Sequence, residues 1–389
     1  MRTAVILAGG TGSRLQPITA TLPKPLVPAP KFPMIQMLLE QLDRHNFEKV
    51  FILIGYKCKF VREFLMSLHS ELEIIIIETP VEMSPAERLI YSSQDFPESY
   101  MLMYCDNFIS DDDLTVHLNN ARASTKNLTM LVEPREIGNV GFQNSKVVFL
   151  PETRSQHTPY VELGYLIIRD SKFFHAMLQK SRSLHLTFEF FANSNNLEVN
   201  ELNGDLTSIS SLARYNALRK HRHTVLLDRD GILNAKMPVA DYVKSWLDFQ
   251  RNEDVWDTLE SASLDKNIDF LIITNQPGVA RGMVASDFLE ELHTSMSIEA
   301  LKRGFNILAF YVCTHGWNDA CECRKPLPGL IQQAISDFEL KEKNVIFIGD
   351  EDRDLLAAKA GGISGKKAHS VNDFHDIWSE VLSELELPI

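Results

Sequence analysis

Short, wholly apolar runs alternate along this chain with longer stretches in which apolar residues recur every three to four positions. Val5-Ile6-Leu7, Val50-Phe51-Ile52-Leu53-Ile54, Leu72 to Ile77 and Met101-Leu102-Met103-Tyr104 are runs of the first kind. Val225-Leu226-Leu227, Leu271-Ile272-Ile273 and Val345-Ile346-Phe347-Ile348 repeat the pattern in the C-terminal half. Such runs read as strands buried on both faces, as in a parallel sheet. Between them, residues 34 to 45, Phe60 to Leu68, Leu212 to Leu218, Ile331 to Phe338 and Leu355 to Ala360 carry the periodicity of helices. Strand alternating with helix predicts an α/β fold in both halves. With 389 residues the chain is too long for a typical single domain. Two are expected, residues 1–220 and 221–389, joined by the short basic stretch Arg219-Lys220-His221-Arg222-His223.

Several of these runs end in groups that can do chemistry, and parallel sheets place chemistry beyond the carboxyl ends of their strands. Val225-Leu226-Leu227 leads into Asp228-Arg229-Asp230-Gly231. Two carboxylates at i and i+2, with the carbonyl between them, could grip one hard cation and leave one oxygen as a nucleophile. Taken alone the stretch is equally a solvated Asp-x-Asp-Gly turn. Three others change that balance: Thr274-Asn275-Gln276, Cys323-Arg324-Lys325-Pro326, and Gly349-Asp350-Glu351-Asp352-Arg353-Asp354. Thr274 and Asn275 can hydrogen-bond phosphate, Lys325 can neutralise it, and Arg324 and Arg281 offer forked donors. Asp350 is the best third carboxylate, with Asp354 in a supporting role. Cys313-Thr314-His315 and Cys321-Glu322-Cys323 supply four ligands suited to tetrahedral zinc, and a site filled by protein is structural.

In the N-terminal half Val5-Ile6-Leu7 opens into Ala8-Gly9-Gly10-Thr11-Gly12-Ser13-Arg14. Backbone N–H groups of such a turn can cradle phosphate. It lacks the Lys-Ser/Thr of a P-loop and the third glycine of the dinucleotide fingerprint. Arg14-Leu15-Gln16-Pro17 and Leu22-Pro23-Lys24-Pro25-Leu26 follow.

Composition narrows the classes. Hydrophobic residues make up 44% and charged residues 23%, the profile of a soluble globular protein. A net charge of −13 weighs against a nucleic-acid partner. No run reaches the ~18 apolar residues of a membrane span, and the first apolar run is too short for a signal sequence. Five cysteines, an odd number in a large chain, argue against a disulfide scaffold. A cytoplasmic protein without a membrane partner is the simplest expectation; a homo-oligomer stays open.

From about residue 223 to 370 the order of these motifs closely resembles the haloacid dehalogenase (HAD) superfamily of phosphatases. The nearer resemblance is to its heptose 1,7-bisphosphate and histidinol-phosphate phosphatase branch. It implies a three-layer α/β/α domain in which Asp228 attacks phosphorus to give an aspartyl phosphate. Asp230 would protonate the leaving alkoxide and then activate water. Asp228, Asp230 and Asp350 would hold Mg²⁺, and the Cys313, His315, Cys321 and Cys323 loop matches a zinc loop of that branch. In the segment after the first motif, Asp241, Tyr242 and Trp246 stand where the branch recognises substrate.

Residues 1 to 220, most strongly the first 60, closely resemble the sugar-1-phosphate nucleotidyltransferases, a Rossmann-like, GT-A-like fold. The resemblance implies that Gly9, Gly10, Gly12, Ser13 and Arg14 hold a nucleoside triphosphate and that Lys24 steadies its phosphates. Asp106 and Asp205 would bind a second Mg²⁺. The sugar phosphate oxygen would attack the α-phosphorus, and pyrophosphate would leave. Departures concentrate in the sugar and base region. Cys105 replaces a usual glycine, and Thr79 to Ala86 contains no glycine where the family has Gly-Thr-Ala-Gly. Pro151-Glu152-Thr153 lacks a lysine, and Glu162-Leu163-Gly164 stands for Asn-Ala-Gly.

Joined in one chain, the two resemblances imply consecutive steps of nucleotide-sugar synthesis. The 7-phosphate would be removed from a heptose 1,7-bisphosphate, and the heptose 1-phosphate joined to a nucleotide from GTP or another triphosphate. Its partners would be small phosphorylated sugars and nucleotides. The alternatives are a histidinol-phosphate or other small-molecule phosphatase with a degenerate N-terminal domain, and a sugar-nucleotide sensor or scaffold.

Overall fold

The structure, a computed structural model, describes residues 2–29, 32–144, 146–238 and 241–387. The chain divides into two compact units. The first comprises Met1–Gly12, Pro23–Leu26 and Pro33–Ser210; the second comprises Ser13–Leu22, Val27–Phe32 and Ser211–Ile389.

In the first unit β1 (Thr3–Ala8), β2 (Lys49–Ile54), β3 (Glu73–Glu78) and β4 (Tyr100–Tyr104) run parallel. A two-residue strand, β5 (Asn107–Phe108), follows β4. The sheet continues through β6 (Leu128–Pro134), while β7 (Val140–Gln143) and β8 (Lys146–Phe149) pair separately. Then come β9 (Tyr160–Ile168), β10 (Leu197–Glu201) and the short β11 (Thr207–Ser208). Seven of these strands form one mixed sheet in the order β10-β6-β9-β4-β1-β2-β3, with β9 antiparallel to both neighbours. The parallel half is the half that the apolar runs predict. Ala4, Val5 and Ile6 of β1 have no exposed surface, which is why that run shows no polar alternation. β6, β9 and β10 extend the sheet beyond those runs. Helices Met34–Arg44 and Cys58–Ser67 lie within two residues of expectation.

The second unit holds β12 (His223–Leu227), β13 (Ile268–Asn275), β14 (Ile307–Cys313), β15 (Val345–Gly349) and β16 (Ser364–Lys367). All are parallel, in the order β14-β13-β12-β15-β16. The chain moves outward from β12 to β14, then crosses back to the other side of β12 as β15. That reversal makes the carboxyl ends of β12 and β15 a switch point, where open α/β sheets bind ligands. Trp256, Phe270, Phe305, Phe374 and Trp378 pack the core. Helices Gly329–Asp337 and Asp352–Ala360 begin two to three residues before their apolar periodicity does, because their first turns are polar or glycine. The basic join has a structural use. Arg219 and Arg222 both reach Asp269, at 2.8 and 2.7 Å, and Asp269 is 1% exposed at the start of β13. No helix of the described residues is long and apolar enough to cross a membrane.

Candidate active sites

At the switch point of the second unit, Asp228 follows β12 directly, its N–H donating to Ile348 O across to β15. Its Oδ1 accepts the N–H of Arg229 at 2.7 Å and lies 2.8 Å from Lys325 Nζ. Lys325, 2% exposed, is also 2.8 Å from Asp354 Oδ1 and donates to Ile273 O at 2.8 Å. Burial alone would discharge this ammonium; Asp228 and Asp354 outweigh it and raise its pKa. Burial lifts the Asp228 carboxyl above the ordinary range, against the pull of Lys325. Asn275 positions the lysine by a reciprocal pair: its Nδ2 donates to Lys325 O and its Oδ1 accepts Lys325 N–H, both at 3.1 Å. Thr274 is buried and accepts from Gln276 Nε2 at 2.9 Å.

Asp230 is oriented differently from Asp228. Its carboxylate takes Arg229 Nη2 at 2.7 and 2.8 Å, Asn234 Nδ2 at 3.0 Å and Gln276 Nε2 at 2.7 Å. Burial pushes its pKa up, but these donors prevail and hold it low. Arg229 is itself buried, with Nη1 3.2 Å from His293 Nε2, and His293 stacks on Phe310. Burial holds His293 well below its usual pKa, so it faces the arginine as neutral imidazole.

Oxygens of Asp228, Asp350 and Asp354 lie within 4.8 Å of one another, a grouping fit for a cation. Asp354 already serves Lys325, and its Oδ2 accepts the N–H of Glu351 at 3.0 Å. That leaves Asp228 and Asp350 facing each other as the natural pair for a divalent ion. Gly231 makes their approach possible. It sits at φ +93°, and a Cβ there would stand 2.4 Å from Asp350 Oδ2. Lys236, which sequence reasoning passed over, caps Asp350 Oδ2 at 2.6 Å and also reaches Glu351. These groups line a cleft of about 310 Å³ whose outer wall includes Tyr242, Trp317 and Arg324.

Cys313 at the end of β14, His315, Cys321 and Cys323 bring their donor atoms together. Cys313 Sγ is 3.9 Å from Cys321 Sγ and 3.7 Å from His315 Nδ1. Tetrahedral zinc with S and N ligands requires separations of about 3.8 and 3.6 Å, which the two Cys313 pairs meet, while His315 Nδ1 and Cys323 Sγ stand closer at 3.1 Å. Arg324 donates to the carbonyls of His315 and Gly316 and straps the loop from within. Arg281 instead donates to Tyr242 Oη at 2.9 Å.

In the first unit Lys24 Nζ lies 2.6 Å from Asp106 Oδ2, so the groups expected to serve phosphate and metal neutralise each other. Burial pushes the neighbouring Cys105 thiol up to about 12. β11 pairs antiparallel with β5, and Ile209 N–H donates to Asp106 O at 2.9 Å. This brings the turn that carries the exposed Asp205 alongside the Asp106 segment. Glu162, on β9, accepts the N–H of Gly164 at 2.8 Å. Burial raises it to about 7, and the charge of Asp106 adds to the rise. Gly10 is exposed, Gly12 half-buried and Gly9 buried. Ser13 and Arg14 are exposed on the short turn Ser13–Leu15, which groups with the second unit. Arg88, another residue passed over, packs against Gly9. Its signal in the sequence is an arginine beside a segment that lacks the usual glycines.

These two folds and their sites define an enzyme that carries a nucleotidyl transferase domain and a HAD-type phosphatase domain. The Nucleotidyl transferase family matches residues 3–139, and the HAD-hydrolase-like family matches residues 322–366. The chain is 34% identical over 134 residues to D-glycero-beta-D-manno-heptose-1,7-bisphosphate 7-phosphatase of Helicobacter pylori, covering 34% of this chain and 75% of that protein. The enzyme of the same name from Haemophilus ducreyi is 33% identical over 153 residues, covering 37% of this chain and 81% of that protein. Among solved structures, a UDP-glucose pyrophosphorylase from Acinetobacter baumannii is 13% identical, covers 57% of this chain and 93% of its own, and gives a TM-score of 0.49. Through its second unit the chain belongs to the HAD phosphatase family that includes these heptose-bisphosphate phosphatases.

Proposed function

We propose that the second unit removes the 7-phosphate from a heptose 1,7-bisphosphate and that the first unit then transfers a nucleotidyl group, GMP from GTP, to the heptose 1-phosphate. The observation that carries this reading is the buried Asp228–Lys325–Asp354 array, facing Asp350, in a chain akin to heptose-bisphosphate phosphatases.

Asp228 attacks phosphorus and the bond to the sugar oxygen breaks, leaving an aspartyl phosphate. Asp230 donates a proton to the departing alkoxide, then takes one from the water that attacks the aspartyl phosphate. Inorganic phosphate leaves and Asp228 is restored. Lys325 offsets the charge gathered on phosphate and nucleophile, and Asp354 keeps it charged. Asp228 and Asp350, with the main chain at Asp230, would hold Mg²⁺, which supplies electrostatic stabilisation of the transferring phosphoryl group. The Cys313, His315, Cys321 and Cys323 set would hold one structural zinc. In the first unit Lys24 and the glycines of the glycine-rich turn would bind the triphosphate, with Asp106 and Asp205 as ligands for the second Mg²⁺.

The test is phosphate release with Mg²⁺ from both anomers of heptose 1,7-bisphosphate, beside histidinol phosphate, with products identified by NMR. Each nucleoside triphosphate is then added. The expected outcome is heptose 1-phosphate, followed by pyrophosphate and a nucleotide-linked heptose. Faster turnover of histidinol phosphate would overturn the substrate assignment. Heptose 1-phosphate that couples to no triphosphate would overturn the transferase step.

A further inference from the structure

Beyond the carboxyl ends of three aligned strands in the first unit sits one buried cation. Ala8, Ile54 and Glu78 are in register across β1, β2 and β3, so Gly9, Gly55 and Thr79 lie just past the same sheet edge. Arg88 fills the space there. It comes from the helix Pro85–Tyr91, whose start is fixed by Pro85 and by a reciprocal Ser84–Glu87 capping box. Side chains on a helix lean back toward its N-terminus, which carries the guanidinium toward the strand ends.

Arg88 is 3% exposed. Its Nη2 donates to Gly9 O at 3.1 Å and to Val81 O at 2.9 Å, and its Nη1 donates to Thr79 Oγ1. The peptide it grips is held from the other side as well, since Tyr56 N–H donates to Gly9 O at 3.1 Å. A Cβ at Gly9 would stand 2.4 Å from Arg88 Nη1, and one at Gly55 2.5 Å. These two glycines therefore make room for the guanidinium. Gly10 differs: no atom lies within 4 Å of a Cβ placed there, so this is the glycine left open toward a ligand.

Every partner of Arg88 is neutral. Among the described residues no carboxylate comes within ion-pair distance of it. Burial lowers its pKa and the more distant charge of Glu82 opposes the change. A desolvated cation without a counter-ion is costly, and an anion arriving nearby offsets that cost. The nearest open feature along the chain is the glycine-rich turn at Gly10, whose backbone N–H groups suit phosphate.

We propose that Arg88 is a positioning residue of the nucleotide site. It clamps the Gly9 peptide and sets a fixed positive charge at the root of the glycine-rich turn, so that ligands are ranked by their phosphate charge. This rests on the reading that the first unit takes a nucleoside triphosphate.

The test is calorimetry on the full-length protein with guanosine, GMP, GDP, GTP and inorganic tripolyphosphate, for wild type, Arg88→Met and Arg88→Lys. Wild-type affinity is expected to rise with phosphate number. Arg88→Met should lose GTP and tripolyphosphate affinity by roughly 10- to 100-fold, as for one charge-assisted contact, with guanosine affinity unchanged. Arg88→Lys keeps the charge without the fork and should keep the wild-type order of ligands. Unchanged or tighter GTP binding by Arg88→Met overturns the proposal. So does an equal loss for guanosine and GTP, which a merely structural role would produce. If thermal unfolding shows that Arg88→Met does not fold, Arg88→Lys decides, and loss of the phosphate ranking in that variant overturns the proposal. Wild type that binds tripolyphosphate but no nucleotide would instead sink the transferase reading and leave Arg88 its role.

Discussion

Asp228 and Asp230 are two residues apart on one strand end, and their surroundings divide the work between them. Asp228 faces the cleft beside Lys325, which would compensate the charge gathered in the proposed attack. Asp230 is turned onto Arg229, Asn234 and Gln276, three donors that stabilise its ionised form. That form is the one that would take a proton from water in the second step, after Asp230 has given its own proton to the departing alkoxide. Replacing Asp228, the proposed nucleophile, separates chemistry from architecture. Asp228→Asn should lower phosphate release by at least about three orders of magnitude, with the melting temperature and bound zinc unaltered. Wild-type turnover in that variant, measured as inorganic phosphate released, would remove Asp228 from its role.

At the scale of elements, the loop from Cys313 to Cys323 connects the end of β14 to Arg324 and Lys325. Its four donor groups converge within 4.8 Å, and Arg324, adjacent to Lys325, is strapped to the carbonyls of His315 and Gly316. A metal that closes this loop therefore also restricts where Lys325 can sit. Cys321→Ser should remove zinc, read by elemental analysis of washed protein against about one ion per chain in the wild type. Phosphate release should fall along with it, because the main chain at Lys325 loses the support of the loop strapped by Arg324 and keeps the Asn275 pair. Full zinc content in Cys321→Ser would refute the ligand set. Zinc loss with undiminished phosphate release would refute the link to Lys325.

At the scale of the whole molecule, buried neutral histidines should make both units lose stability in acid, His293 in the second and two others in the first. The first buries two neutral histidines in contact with other side chains. His117 lies against Asn200, and His175 against Tyr100 Oη. Burial lowers each from 6.5 to about 4. An unfolded chain takes up these protons near pH 6.5 and the folded one does not. The stability they permit is therefore complete above 6.5 and is lost as pH falls toward 4. By linkage each histidine accounts for about 3 kcal/mol across that window. Denaturant titrations at pH 7.5 and 5, with hydrogen exchange resolved by peptide, should show this loss in the first unit beside a separate one around His293 in the second, and His117→Gln should remove its own share. An unchanged pH dependence in His117→Gln would show that this histidine is not held neutral.

What the sequence by itself determined are the features that short-range pattern encodes. The apolar runs mark the parallel strands because burial on both faces removes polar alternation. The acids at Asp228, Asp230 and Asp350 are legible because they follow such runs directly. The Cys313, His315, Cys321 and Cys323 spacing is legible because its ligands lie on one loop. Strands β6, β9 and β10, of which only β9 runs antiparallel to its neighbours, are less legible, since no chemical motif marks their ends. Only the tertiary structure decided which charged groups meet. Lys236 finds Asp350 across 114 residues, and Arg88 finds Gly9 across 79. It also decided that Gln276 and Asn234 meet Asp230, and that Asn275 commits its amide to the main chain of Lys325. Strand order and helix docking set these pairings, and neither is written in local periodicity. A buried cation takes its partners from whatever the packed sheet edge presents, and that edge exists only once the strands are assembled.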